Sequence, residues 1–415
     1  MGRLRLAIAL LPIALTASAA FGAEPVPIPA APPEALDYHR GQDWFWLADQ
    51  ALSFLLPLVI LFTGWSTRLT GWARRIARGR WYLTLALYTV LYLLIAFLVG
   101  LPLSYAHDYV FAHAYDQSSQ TLGKWGSDQL MGLLVGAVAA VLTVWIPFLL
   151  IRRLPKTWWL WSTAALTPIV ILSIVITPIW IAPLFNTFTP LPPGELKTAI
   201  QAEAARGGLE NATILVMDQS TDSKTFGAYV AGLGGTERIV LFDTTLKTLT
   251  QPEILFVVGH EMKHYLLGDV WKIVGLYVVI LLVGFYAVDR LARAATRRWA
   301  GRFGFDDIAD PAALPLLLIV FGIVSLFLTP AINAFSRDVE HEADRFGLEL
   351  TRDNQAAASA FVKRFNEALG IPYPGWLERN FRLDHPSLGD RITFANEYHP
   401  WDEGKPGRYE GWMKR

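Results

Sequence analysis

The 415-residue chain contains no cysteine. That removes disulfides, thiolate metal ligands and cysteine nucleophiles together, so any metal must rest on histidine and carboxylates. Charge is also scarce: 17% of the residues are Asp, Glu, Lys or Arg, and the formal net charge is zero. No global positive field exists to attract nucleic acid, which is excluded as a partner class. Histidine is rarer still, with eight in the chain. What the chain has in excess is apolar surface. With 53% hydrophobic residues and a mean hydropathy of +0.34, it is too apolar for an ordinary soluble domain and belongs in a lipid bilayer.

Six stretches are long and essentially uncharged: about Ala51 to Thr67, Trp81 to Ala106, Leu130 to Ile151, Trp158 to Phe185, Ile273 to Val288 and Ala312 to Phe335. Each is read as a spanning helix, the first and fifth borrowing turns from their flanks because crossing takes about 20 apolar residues. Residues 1–23 carry Arg3 and Arg5, an apolar core and Ala17-Ser18-Ala19, the layout of a cleavable signal peptide or, failing cleavage, of a further spanning helix. The Pro/Ala-rich stretch after them reads as a linker.

Positive charge clusters on alternate loops: Arg68, Arg74, Arg75, Arg78 and Arg80; Arg152, Arg153 and Lys156; Arg290, Arg293, Arg297, Arg298 and Arg302. By the positive-inside rule those loops are cytoplasmic, which puts residues 186–270 and everything after Phe335 on the outer face of the membrane. The resulting plan is a signal peptide or first span (1–23), linker (24–46), four spans (47–185), an insert (186–270), two spans (271–335) and a C-terminal region (336–415).

Within the insert, Gly194 to Arg206 has helical spacing, Thr213 to Met217 reads as a strand, and Ala228 to Leu233 with Arg238 to Phe242 reads as a hairpin turning at Gly234-Gly235. The chemistry follows the hairpin. His260-Glu261-Met262-Lys263-His264 places two imidazoles one helical turn apart, on one face, where both can bind the same ion. Glu261 lies one position round, close to that ion without being forced to ligate it. With eight histidines such a pentapeptide arises by chance in about one chain per hundred. Thr250-Gln251-Pro252-Glu253 reads as a capping box that starts a helix ahead of it.

Two histidines need a third protein ligand and an open position for water. Ser336 to Asp344 offers Glu340, with His341 and Glu342 as rivals; Asp344 shares a helical face with Glu340 and can accept the second ring N–H of a ligating histidine. His385-Pro386, with Arg391 six residues after the histidine, can donate hydrogen bonds to an oxyanion if it faces the metal. His39, His107, His113 and His399 read as structural.

Together these residues resemble the type I CAAX prenyl endopeptidases, integral-membrane zinc metallopeptidases related to HtpX-like bacterial proteases. The resemblance also rests on Gly100-Leu101-Pro102, Gln120-Thr121-Leu122-Gly123, Ile181 to Asn186, Phe188 to Leu191, Arg238 to Thr244 and Arg391-Ile392, and covers about Asp43 to Asn396. It implies a mainly α-helical polytopic membrane protein, with six or seven spanning helices around a chamber and a small α/β zincin-like insert. It implies one Zn2+ per chain on His260, His264 and Glu340, Glu261 as base, Asp344 as orienter, and His385 with Arg391 near the substrate carbonyl. It also implies a substrate-binding strand at Gly227-Ala228-Tyr229, where such proteins usually carry Asn-Ala-Tyr or Asn-Ala-Phe. The missing Asn side chain bears on substrate preference, not on hydrolysis.

The expected activity is zinc-dependent endoproteolysis: a metal-activated water attacks the peptide carbonyl while Glu261 takes and returns the proton. Peptides and unfolded or membrane proteins are the expected substrates, in envelope quality control or peptide processing. CAAX-type processing of prenylated proteins is the rival within the enzyme class, and a non-catalytic transporter, scaffold or binding module the rival outside it.

Overall fold

The computed structural model describes residues 24–232 and 235–413, and residues 1–23, with the proposed signal peptide, lie outside it. Among the described residues six helices are long and apolar enough to cross a membrane. The first four are α1 (Pro33–Phe62), α3 (Trp81–Ala114), α4 (Leu122–Arg153) and α5 (Trp158–Leu184), with a short amphipathic helix α2 (Trp65–Ile76) after α1. The insert follows: β1 (Phe188–Pro190), α6 (Glu195–Arg206), β2 (Thr213–Met217), β3 (Ala228–Ala231), β4 (Arg238–Phe242), α7 (Asp243–Thr248) and α8 (Gln251–Leu266). Then come the spans α9 (Asp269–Phe303) and α10 (Pro311–Thr351), and three short helices, α11 (Asn354–Glu367), α12 (Trp376–Phe381) and α13 (Leu388–Glu397).

The spans converge at one end. Leu61 at the close of α1, Ile151 of α4, Trp158 at the start of α5, Ala292 and Phe303 of α9 and Ala312 at the start of α10 form one buried cluster. Beside it Leu69 and Ala73 of α2 pack with Leu85 and Tyr88 of α3. Away from that closed end contact thins out, and no span is buried along more than 39% of its most apolar window. Helices that splay from a packed base, with lipid outside, enclose a chamber.

The insert caps the opposite end. Its sheet runs β1-β2-β4-β3, with β2 and β4 parallel and β3 hairpinned antiparallel on β4, Ala228 opposite Leu241. Residues 233–234 at the hairpin tip are outside the described residues. Ile239 and Leu241 of β4, Val258 and Met262 of α8, Ile200 of α6 and Phe346 of α10 share one core, which fixes α8 between the sheet and the last span.

Four boundaries differ from the sequence reading. The linker expected over 24–46 is extended only through Pro32; Pro33 occupies the first turn of α1, and the helix-forming residues after it add several turns to the span. Those turns and the extended stretch before them dock on the C-terminal region: His39 Nδ1 of α1 lies 2.8 Å from Glu378, and Asn396 exchanges hydrogen bonds of 3.0 and 2.9 Å with the backbone of Val26. The first span ends at Phe62 rather than Thr67, because Gly64 (φ 72°) turns the chain into α2. Nor does the fifth span borrow its extra turns from the helix that carries the pentapeptide. Gly268 (φ 65°) breaks the path between α8 and α9, a left-handed position that costs an L-residue roughly 1–2 kcal/mol. At the 335/336 boundary α10 is continuous, so span and catalytic segment are one helix.

Candidate metal centre

The site forms where α8 crosses α10, and two glycines set how closely. A Cβ on Gly347 would lie 3.1 Å from the carbonyl oxygen of Phe256 and 3.2 Å from the nitrogen of His260; one on Gly259 would lie 3.4 Å from the Cα of Gly347. The capping box expected at Thr250 is formed, with Glu253 accepting from the Thr250 N–H at 2.6 Å and also from Ser359 and Lys363 at 2.7 Å. The start of the metal helix is thereby tied to α11.

His260 Nε2, His264 Nε2 and a Glu340 oxygen lie within 4.8 Å of one another. Glu340 Oε2 is 3.1 Å from His260 Nε2, and its Oε1 is 3.5 Å from His264 Nε2. The outer ring nitrogens are committed elsewhere: His260 Nδ1 to Asp344 at 2.9 Å and His264 Nδ1 to Asp269 at 2.9 Å. A carboxylate only accepts, so each Nδ1 carries the hydrogen and each Nε2 turns a lone pair inward. Glu340 Oε2 is buried with no donor. Converging lone pairs repel unless a cation lies among them. An ion with tetrahedral bonds of about 2.0–2.2 Å would space its ligand atoms by roughly 3.3–3.5 Å, close to the distances found, so the residues fit a metal.

The rival ligands point elsewhere. Glu342 takes hydrogen bonds from Arg345, Arg408 and Tyr409, and the His341 ring lies 4.3 Å from that of Phe394. Glu261 Oε1 stands 4.0 Å from His260 Nε2, and burial pushes its carboxyl above the ordinary range against the pull of the two imidazoles. His385 Nε2 is 3.3 Å from Glu340 Oε2, while its Nδ1 bonds Asp384 at 2.7 Å. Arg391 gives two N–H groups to Asp344, at 2.9 and 2.6 Å, and lies over the Phe361 ring at 4.3 Å. Rather than pointing wholly at a substrate carbonyl, it holds the carboxylate that holds His260.

Glu261, His385 and Arg391 line a cavity of about 470 Å³ with Phe226, Phe256 and Phe361. Gly227 and Ala228 line it too, beside β3, the edge strand, whereas the Tyr229 ring packs towards Phe242 at 6.4 Å. A side chain at Gly227 would meet the Phe242 ring at 3.2 Å.

Sequence reasoning missed several residues. Asp269 is the counterpart of Asp344 for the second histidine, and Lys263, from inside the pentapeptide and 1% exposed, bonds it at 2.7 Å. The signal was present, a carboxylate directly after the glycine that ends the helix. His39, read as structural, lines the cavity. Asp222 was passed over, yet Gln120, Asn186 and Lys124 converge on it at 2.8, 2.6 and 3.0 Å. Two of the motifs outside the pentapeptide thus meet at one carboxylate that joins the insert to α4.

The fold and site define an integral-membrane metallopeptidase. Residues 190–399 match the model of peptidase family M48, and residues 33–187 that of the CAAX prenyl protease N-terminal region, five membrane helices. The chain belongs to peptidase family M48. Similar proteins include YhfN of Bacillus subtilis, an uncharacterised metalloprotease (34% identical, 88% of this chain, 85% of that one), and the CAAX prenyl protease 1 homologue of Dictyostelium discoideum (30%, 86% and 82%). The crystal structure of S. mikatae Ste24p superposes with a TM-score of 0.75 at 23% identity over 88% of both chains, a likeness of fold. Where the N-terminal description counts five membrane helices, the described residues hold four of spanning length and the shorter α2.

Proposed function

We propose that this metalloendopeptidase holds one zinc ion on His260, His264 and Glu340 and cleaves extended peptide or unfolded protein chains that enter its chamber from the outer face of a bacterial inner membrane. The convergence of three lone-pair donors, each histidine backed by its own buried carboxylate, carries the reading. When bound, zinc supplies Lewis acidity that brings the pKa of a water towards ~7 and polarises the carbonyl. Glu261, its proton affinity raised by burial, takes the proton of the attacking water and delivers it to the leaving amine. Asp344, clamped by Arg391, and Asp269, clamped by Lys263, keep both imidazoles in the ligating tautomer. His385, partly exposed, 3.3 Å from Glu340 and with Nδ1 held by Asp384, donates to the oxyanion from Nε2 as the imidazolium, both ring nitrogens carrying hydrogen. The free edge of β3, which lines the cavity at Ala228, takes the substrate backbone as an added strand; Gly227, just before it, has its own N–H and carbonyl bonded to Thr245 and Phe242.

The orientation rests on charge: the arginine clusters lie at the closed end of the bundle, away from the metal, as cytoplasmic loops should. In that orientation a cytosolic prenylated protein does not reach the site. Reporter fusions after residues 70 and 190 are expected to read cytoplasmic and periplasmic respectively, and the purified enzyme to cleave an unprenylated unfolded chain. A cytoplasmic signal at 190, or cleavage confined to prenylated CAAX peptides, favours the CAAX-processing reading instead.

A further inference from the structure

We propose that α2 lies in the plane of the membrane interface, at the end of the bundle remote from the metal, and binds the headgroups of anionic phospholipids. α1 spans about 45 Å at 1.5 Å per residue, with its first turns against the catalytic region and α2 at its other end. The twelve residues of α2 sort into three faces. Ser66, Leu69, Thr70 and Ala73 are buried against the protein, and the Ser66 hydroxyl bonds the Ala312 carbonyl at 2.6 Å and the Tyr88 hydroxyl at 2.7 Å. Adjacent to that face, Trp65, Trp72 and Ile76 fall on one stripe and are 43%, 51% and 69% exposed. On its far side the stripe is flanked by Arg68 and Arg75. The order protein, apolar, cationic round the circumference suits a helix lying flat at a bilayer surface, its indoles at headgroup depth and its guanidinium groups reaching phosphate.

Charge complementarity identifies the occupant. α2 contains no acidic residue, and Arg74 alone finds a carboxylate, Asp310 at 3.7 Å. Among the described residues no ion pair reaches Arg68, Arg75, Arg78 or Arg80; Arg68 instead sits 5.8 Å from the Trp65 ring centroid. Four unneutralised cations beside an exposed apolar stripe call for an anionic surface rather than a zwitterionic one.

The absence of cysteine makes the test direct, because Trp72→Cys or Gly71→Cys carries a single nitroxide label in the full chain. A Cβ at Gly71 meets nothing within 4 Å, and the position faces the cationic side. In nanodiscs of phosphatidylcholine and phosphatidylglycerol, the label at 72 is expected to relax with oxygen and be shielded from a water-soluble nickel chelate, and the label at 71 to behave oppositely. Lipid retained by the purified protein is expected to favour phosphatidylglycerol, with that preference falling roughly fivefold for each of Arg68→Gln and Arg75→Gln. Equal nickel access at 71 and 72 overturns the proposal, as does indifference between the two lipids in wild type and variant alike. Spin–spin broadening at 72 replaces the lipid with a second copy of the chain. Unchanged metal content in the arginine variants reports that they remain folded.

Discussion

At the scale of single residues, the site depends on buried charges that the sequence pattern conceals. Lys263 and Asp269 are each 1% exposed and face each other at 2.7 Å. Removing Asp269 strands the Lys263 ammonium in a low-dielectric interior with only the Val339 carbonyl to accept from it, whereas Asp269 is also reached by Lys272 and His264. Asp269→Asn is expected to destabilise the protein by roughly 3–5 kcal/mol and to weaken metal binding ten- to a hundredfold. Adding Lys263→Met restores stability but not affinity, which thermal melts and chelator competition separate; full affinity in either variant contradicts the orienting role. Glu203 of α6 differs in kind. It is buried with one oxygen unpartnered, and burial pushes its carboxyl up to about 8 from 4.5. A raised carboxyl favours the protonated folded form, so its contribution is fully present below about pH 4.5 and is lost as the pH rises to about 8. Tm is therefore expected to decline across that window and Glu203→Gln to flatten the decline, an effect of up to about 4–5 kcal/mol; parallel wild-type and variant profiles sink this account.

At the scale of elements, the decisive feature is the crossing of α8 and α10. Histidines from one helix and the glutamate from the other meet because Gly259 and Gly347 let the backbones touch. Gly347→Ala adds a Cβ 3.1–3.2 Å from backbone atoms of α8, which have nowhere flexible to retreat. The helices must part by a few tenths of an ångström, so metal affinity is expected to fall at least tenfold while far-ultraviolet dichroism is unchanged. Wild-type affinity in Gly347→Ala would show that the crossing tolerates a methyl group. The pentapeptide and the capping box were legible in the sequence because helical periodicity places them on faces; the same periodicity paired Glu340 with Asp344 but left His341 and Glu342 as rivals, and the family resemblance was what singled Glu340 out. The break at Gly268 was signalled only by the carboxylate of Asp269 after it, and the apolar residues on either side, Leu266-Leu267 and Val270-Trp271, masked that signal. The docking of the first turns of α1 was not legible, because it depends on contacts such as His39 with Glu378 across 339 positions. Strand β1 was missed because three residues, one of them proline, carry no alternation to detect.

At the scale of the whole molecule, hydropathy alone located six spans, because a bilayer admits few alternatives to long apolar helices. It could not show that they close at one end through the cluster around Leu61 and Trp158, since that packing joins residues from α1, α4, α5, α9 and α10 that are far apart in the sequence. That shape puts the candidate metal centre at the end opposite the packed base, under the insert. The central claim is that this centre hydrolyses peptide bonds with Glu261 as base. Its most direct test is cleavage of an unfolded reporter protein by detergent-purified wild type and Glu261→Gln, with metal content measured on the same samples. Both proteins are expected to bind about one zinc ion per chain while only the wild type cleaves. Equal cleavage by the two, or a wild type that binds no metal, would contradict the account.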